Sequence, residues 1–259
     1  MSTLTFSIIQ TNLVWESPEE NRSVLESKIE SIPSGTEIII LPEMFTTAFS
    51  MNPTLHAETM EGETLQWMSR ISQQKKSIIV GSLMISEHEQ CFNRLIWMQP
   101  NGVYYTYDKR HLFSIAGEDE HYAAGNKRLI TQVKGWKICP QICYDLRFPV
   151  WNRLSHADEY DLLLFVANWP SKRSLAWKTL LQARAIENQC YVIGVNRVGS
   201  DEQGNEYSGD SSIIDPLGDI LYSKSDIEEI FTTTLSLDYV SKTRNKLPFS
   251  KDKDDFLIL

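Results

Sequence analysis

The sequence predicts an α/β fold built in layers. Three observations carry that expectation. Short β-rich runs recur along the chain, several of them apolar on consecutive rather than alternate positions, and helical patterns fall between them. A continuous run such as Ile38-Ile39-Ile40-Leu41, or Leu162 through Ala167, suits a strand covered on both faces.

The elements follow in order. Residues 6–11 read as a first strand. Ser17-Pro18-Glu19-Glu20 then reads as N-cap, proline at N1 and an acid at N3, a capping box opening a helix that carries Val24, Leu25, Ile29 and Ile32 at helical spacing. A strand over residues 38–41 precedes a second helix marked by Leu65, Met68 and Ile71, and residues 78–82 form the next strand. Residues 92–107 read as a hairpin around Pro100-Asn101-Gly102. Residues 136–143 form a strand, and Pro149 sits near the start of a short helix over residues 148–154. Strands over residues 162–168 and Tyr191–Asn196 flank a third helix marked by Trp177, Leu180, Leu181 and Ile186. Residues 212–215 close the series. No linker or repeat interrupts these elements, so one domain over residues 1–259 is the simplest organisation.

Composition narrows the function classes. Of the 259 residues, 42% are hydrophobic and 23% charged, which is ordinary globular usage. Lys+Arg number 25 against 34 Asp+Glu, a net charge of −9, so a role in coating nucleic acid is not expected. No apolar run approaches the ~20 residues of a membrane span. The start lacks a basic region and a long apolar core, so no secretory leader is expected. Four cysteines without such a leader suggest free thiols in a reducing compartment, the cytoplasm. Cys139 and Cys143 have no second Cys/His pair at zinc spacing, so no metal site is expected.

Three ionisable residues stand just past strand-like runs: Glu43, Lys109 and Cys143. Ligand sites in open α/β sheets gather beyond the carboxyl ends of strands. Singly, each has an ordinary reading as a loop acid, a solvated lysine or a buried thiol. Jointly they have a chemistry. A thiol is a strong nucleophile only as thiolate, a carboxylate within reach can take its proton, and an ammonium can stabilise the oxyanion that follows. Cys143 is followed by Tyr144-Asp145-Leu146-Arg147-Phe148-Pro149, which permits a strand-to-helix elbow with the thiol at its tip.

Leu41-Pro42-Glu43-Met44-Phe45, Tyr107-Asp108-Lys109-Arg110-His111-Leu112-Phe113 and Ile142-Cys143-Tyr144-Asp145-Leu146-Arg147-Phe148-Pro149 resemble the three catalytic blocks of the nitrilase (carbon–nitrogen hydrolase) superfamily. Ala183-Arg184-Ala185-Ile186-Glu187-Asn188-Gln189 and Gly209-Asp210-Ser211-Ser212-Ile213-Ile214-Asp215-Pro216-Leu217-Gly218 resemble two further blocks, and the five occur in the family's order over about residues 4–249. The resemblance implies a four-layer α-β-β-α sandwich and a homodimer or larger assembly, with the tail from about residue 242 reaching toward the partner. It implies Glu43 as general base, Lys109 as oxyanion stabiliser, Cys143 as nucleophile and the Tyr144 backbone N–H as second oxyanion donor. Many members carry a second glutamate after the lysine block. Glu118 and Glu120 both qualify, and Glu118, seven residues before Gly125, is preferred. The implied mechanism requires no metal and no organic cofactor.

The lysine block, the segment over residues 117–125 and Ala167-Asn168-Trp169-Pro170 resemble the bacterial omega-amidase branch. That likeness implies hydrolysis of the terminal amide of 2-oxoglutaramate or 2-oxosuccinamate. Such substrates carry a carboxylate, so a cationic clamp is expected. Arg147 is the nearest candidate, with Lys172 and Arg173 as others, and Trp169, Phe45 and Tyr122 are expected pocket walls. Four alternatives stay open within or beside the family: an N-carbamoyl amidohydrolase, an aliphatic amidase, a nitrilase, and a Cys-His hydrolase using His111 or His121. A scaffold that keeps the fold without chemistry is a fifth.

Overall fold

A computed structural model describes residues 2–155, 159–254 and 256. The chain runs β1 (Thr3–Gln10), α1 (Pro18–Glu30), β2 (Ile38–Ile40), α2 (Pro53–His56), α3 (Glu63–Lys75), β3 (Ile78–Glu87), β4 (Gln90–Met98), β5 (Tyr104–Asp108), α4 (Glu118–His121), β6 (Thr131–Val133) and β7 (Trp136–Ile142). It continues through α5 (Pro149–Asn152), β8 (Leu162–Ala167), α6 (Ser174–Asn188), β9 (Tyr191–Asn196), β10 (Val198–Ser200), β11 (Glu206–Ile214), β12 (Ile220–Ser225), β13 (Glu229–Ser236) and α7 (Leu237–Lys246).

Two sheets result. One has the order β13-β1-β2-β3-β4-β5, and the other β10-β11-β9-β8-β7-β6 with β12 also on β11. In the first, β1, β2 and β3 are parallel; in the second, β7, β8 and β9 are, with antiparallel flanks in both. Parallel pairs need a covered sheet, and the alternation in β2 shows how this one is covered. Ile38 and Ile40 join the core between the sheets, with Phe6, Ile8, Ile138 and Leu162. Ile39 points the other way, into a second core with Leu25 and Ile29 of α1 and Leu65, Met68 and Ile71 of α3. On the far side α6 packs on β9, where a side chain on Gly194 would collide with Trp177 and Leu181. The layers are therefore helix, sheet, sheet, helix, the expected α-β-β-α sandwich.

Some local readings need correction. Proline stands at the start of α1, but the Ser17 hydroxyl donates to Glu20 Oε2 (3.4 Å) and caps no backbone N–H, so the capping box does not form. The helix expected over residues 148–154 is shorter, α5 (Pro149–Asn152), and a 3₁₀ turn, Cys143–Arg147, precedes it. The tail docks partly on its own chain: Gln189 Nε2 donates to Leu247 O at 2.9 Å, and Arg244 Nη2 to Tyr160 O at 2.7 Å. Residues 255 and 257–259 of that tail lie outside the described residues. Among the described residues, no helix is long and apolar enough to cross a membrane.

Candidate active site

Glu43, Lys109 and Cys143 all sit just past strand ends, and the fold brings those ends together. The β2 ladder stops at Pro42, which has no N–H to donate. Ser82 takes over, its hydroxyl accepting from Met44 N at 2.8 Å and its carbonyl from Phe45 N at 3.2 Å. Lys109 leaves β5 with its N–H on Asn93 O at 3.0 Å, and its own carbonyl accepts from Gly125 N at 2.9 Å. A side chain at Gly125 would lie 2.1 Å from Asp108 O, so only glycine lets the loop close there.

Cys143 ends β7 in a left-handed conformation, φ 42°. That costs a non-glycine residue roughly 1–2 kcal/mol, so the neighbourhood must over-determine it. Asp145 does so. Its buried carboxylate accepts from Ile142 N at 3.1 Å, His111 N at 3.0 Å and the Tyr107 hydroxyl at 2.7 Å, and lies 2.8 Å from His111 Nδ1. One carboxylate thus ties the cysteine elbow to the segment carrying Lys109.

The charged groups form one buried cluster. Lys109 Nζ donates to Glu43 Oε1 at 2.8 Å and to Glu118 Oε1 and Oε2 at 2.9 Å. Lys109 is 1% exposed and both glutamates 0%. Glu43 Oε2 accepts from Asn168 N at 2.7 Å, and Glu118 Oε2 from Phe113 N at 2.6 Å. Burial alone would lower the Lys109 ammonium, but the Glu118 and Glu43 carboxylates outweigh it and hold it above its ordinary value. Glu118 is displaced upward, by burial first and by Glu43, against the pull of Lys109. Burial pushes the Cys143 thiol well above its ordinary value, and the charge of Glu43 and a hydrogen bond to it act the same way, with Lys109 opposing. The thiol therefore rests neutral against a carboxylate. It can attack only while handing its proton over, and Glu43 is the group in place to take it.

Cys143 and Lys109 open onto a cavity of about 300 Å³, lined also by Phe49, Phe113, Tyr144, Arg147, Trp169, Arg173 and Tyr207. Tyr144 lies in the first turn of the 3₁₀ helix, where N–H groups have no intrahelical partner. The Arg147 guanidinium stands 4.8 Å from the Trp169 ring and that of Arg173 5.0 Å from the Phe113 ring. Neither forms an ion pair among the described residues. Asp201, also in the wall, has both oxygens occupied, by Gln203 N, Asn205 N, Asn205 Nδ2 and the Tyr207 hydroxyl at 2.8–3.0 Å.

Other expected residues fall elsewhere. Phe45 is not a pocket wall: it is buried against Trp67 (5.9 Å) and Gly81, in the core under α1 and α3, because the turn after β2, left-handed at Met44 (φ 43°), carries it away from Glu43. Tyr122 is not one either. It packs behind the cluster with Met44 and Met84, its hydroxyl on Ser50 O at 2.7 Å. Glu120 and His121 are exposed, Lys172 is exposed outside the cavity, and His111 is stacked on Phe148 at 3.8 Å. Sequence reasoning gave no role to Asn93, Asn168, Phe113 or the Asp201–Tyr207 hairpin. Asn168 stood inside a quoted block. Asn93, inside a strand with other polar residues, gave no signal.

The chain matches the carbon–nitrogen hydrolase family over residues 5–245. It is 44% identical over 260 residues to "Omega-amidase YafV" of Yersinia enterocolitica, covering 100% of both chains. It is 31% identical over 251 residues to "2-oxoglutaramate amidase" of Bacillus subtilis, covering 96% of each. A crystal structure of a CN-hydrolase superfamily protein from Xanthomonas campestris, with an arsenic adduct in its active site, superposes with a TM-score of 0.97 at 42% identity, covering 100% of both chains.

Proposed function

The chain belongs to the carbon–nitrogen hydrolase family, and from that premise we propose that it hydrolyses the terminal amide of small 2-oxo acid amides, 2-oxoglutaramate and 2-oxosuccinamate, to the dicarboxylic 2-oxo acid and ammonia. The observation that carries this reading is Cys143 set against Glu43 at a cavity whose two arginines, Arg147 and Arg173, form no ion pair among the described residues.

Cys143 Sγ attacks the amide carbon as its proton passes to Glu43. Lys109 and the Tyr144 N–H hold the developing oxyanion. The tetrahedral intermediate collapses by breaking the C–N bond, and Glu43 returns the proton to the departing nitrogen, because amide ion is a very poor leaving group. Ammonia leaves a thioester. Water then attacks that thioester with Glu43 again as base, releasing the acid and restoring the thiol. Glu118 also holds Lys109, through both of its carboxylate oxygens. Arg147, with Arg173, takes the substrate carboxylate, stacking on an aromatic face that keeps each guanidinium in place. Trp169 and Phe113 are the walls.

Residues 1–259 act as one catalytic domain that pairs as a homodimer in the cytoplasm. Exposed Leu175 and Ile186 on α6 and Val150 on α5 support the pairing, and four free thiols suit a reducing compartment. Light scattering would read about twice the chain mass of 29.8 kDa.

The test measures ammonia released from 2-oxoglutaramate, β-ureidopropionate, an uncharged aliphatic amide and a nitrile. The first should lead, and Cys143→Ala should abolish release from all four. Preference for any of the other three would overturn the substrate assignment, and activity without the thiol would overturn the mechanism.

A further inference from the structure

We propose that Asn93 is a positioning residue: its side-chain amide holds Glu43 and Glu118 on one lysine and keeps Glu43 ready to receive the Cys143 proton. Asn93 Nδ2 donates to Glu43 Oε1 at 2.8 Å and to Glu118 Oε1 at 3.1 Å. The two oxygens it bridges are also bound by Lys109 Nζ. Its backbone carbonyl accepts from Lys109 N at 3.0 Å. One residue of β4 therefore touches all three charged members of the cluster.

The orientation has a cost, and the cost points to the role. Asn93 is 0% exposed, and its Oδ1 has no hydrogen-bond partner among the described residues. A buried, unpaired acceptor destabilises a fold. Rotating the amide by half a turn would leave Nδ2 in the orphaned position and set Oδ1 against two carboxylates, which is worse. The donor end is thus fixed on the acids by charge. Two carboxylates sharing one ammonium repel each other, and each needs further donors to stay ionised without water. Asn93 supplies one to each from a single nitrogen, which also fixes the spacing of the two oxygens. A base that receives a proton and returns it must hold its position through both steps.

The role rests on the amidase reading only for its kinetic arm. The variants are Asn93→Leu, similar in volume with no donor, and Asn93→Ser, which keeps one donor. The first measurement needs no substrate: the rate at which iodoacetamide alkylates Cys143, as a function of pH. The second is the pH profile of kcat/KM for 2-oxoglutaramate. Without the donor the carboxylates hold protons more tightly, so in Asn93→Leu both profiles should move to higher pH by about one unit, a tenfold change at fixed pH on the acidic side. kcat should fall with KM nearly unchanged, and Asn93→Ser should lie between. Should Asn93→Leu fail to fold, the shift in Asn93→Ser alone decides. Equal loss at every pH, or profiles that superpose on wild type, would overturn the proposal. A shifted alkylation profile in an enzyme that releases no ammonia from 2-oxoglutaramate would keep Asn93 and sink the substrate assignment.

Discussion

The floor and the rim of the cavity are built on opposite principles. The floor groups Glu43, Lys109, Glu118 and Asn93 are essentially sealed from solvent, and each is hydrogen-bonded to another member of the cluster. The rim groups Arg147 and Arg173 are part-exposed, lie on turns and touch aromatic faces in place of acids. Buried charges are costly unless every one is answered, so the floor tolerates little change. A part-solvated guanidinium on an indole can be exchanged at little cost to the fold. The floor should therefore hold the bond chemistry together with stability, and the rim should hold selectivity alone.

The largest expected effect tests the floor. Lys109→Met removes the only ammonium that, among the described residues, is bound to the two buried carboxylates. Removing one oxyanion donor typically costs ~10²–10³ in turnover, and kcat should fall at least that far. Leaving buried charge unanswered costs about 3–5 kcal/mol, or roughly 10 °C in Tm at this chain size. The deficit has a sign in pH. Without the ammonium both carboxylates hold protons more tightly folded than unfolded, so the loss should shrink as pH falls and grow as pH rises. Thermal melts across pH check this. An unchanged Tm would dissolve the distinction between floor and rim.

The second prediction tests the rim. Arg147→Gln should raise KM for 2-oxoglutaramate about 10–100-fold, the worth of a charge-assisted hydrogen bond, with kcat within a few-fold and Tm unmoved. An uncharged aliphatic amide should be handled as well as by wild type. Steady-state kinetics on both substrates decide. Equal losses on the two would mean that Arg147 shapes the cavity and does not read charge.

The same division explains what the sequence revealed. Glu43, Lys109 and Cys143 were legible because each stands just past a strand-like run, and a strand end is a place where side chains can converge without their own strand hiding them. Layering was legible from continuous runs such as Ile38–Ile40. Glu118 was separable from Glu120 only by a likeness in spacing, since an acidic Glu-Asp-Glu turn has no period that says which acid points inward; the structure buries the first and exposes the second. Asn93 and the Asp201–Tyr207 hairpin were illegible because their value lies in partners 25 to 50 residues away or in a turn of polar residues. Phe45 misled because adjacency to Glu43 along the chain suggests adjacency in space, whereas the chain turns between them, through Met44 at φ 43°. β12 and β13 went unseen because their half-exposed, polar residues carry little hydrophobic pattern.

The smallest effect comes from comparing two thiols. Cys143 and Cys190 are both buried, and burial is the first cause of the upward displacement of each. The neighbours differ. Cys143 faces Glu43 and Lys109, whereas Cys190 sits at the end of α6 with Arg244 as its largest opposing influence and rises from about 9 to about 12. Below pH 9 the Cys190 thiol is protonated folded and unfolded, so it adds no pH dependence. Between about 9 and 12 the unfolded thiol loses its proton while the folded one keeps it. The unfolded state then binds fewer protons, and stability falls as pH rises, by up to about 1.4 kcal/mol per unit. Cys190→Ala removes that dependence. It should cost about 1 kcal/mol near neutrality through lost packing, leave kcat and KM unchanged, and flatten the alkaline decline in urea midpoints between about pH 9 and pH 11. An alkaline slope identical to wild type would show that this thiol ionises freely in the folded state, and that burial alone does not hold a sulfur neutral here. The neutrality of Cys143 would then have to come from Glu43, and Glu43→Gln would lower the pH at which Cys143 is alkylated.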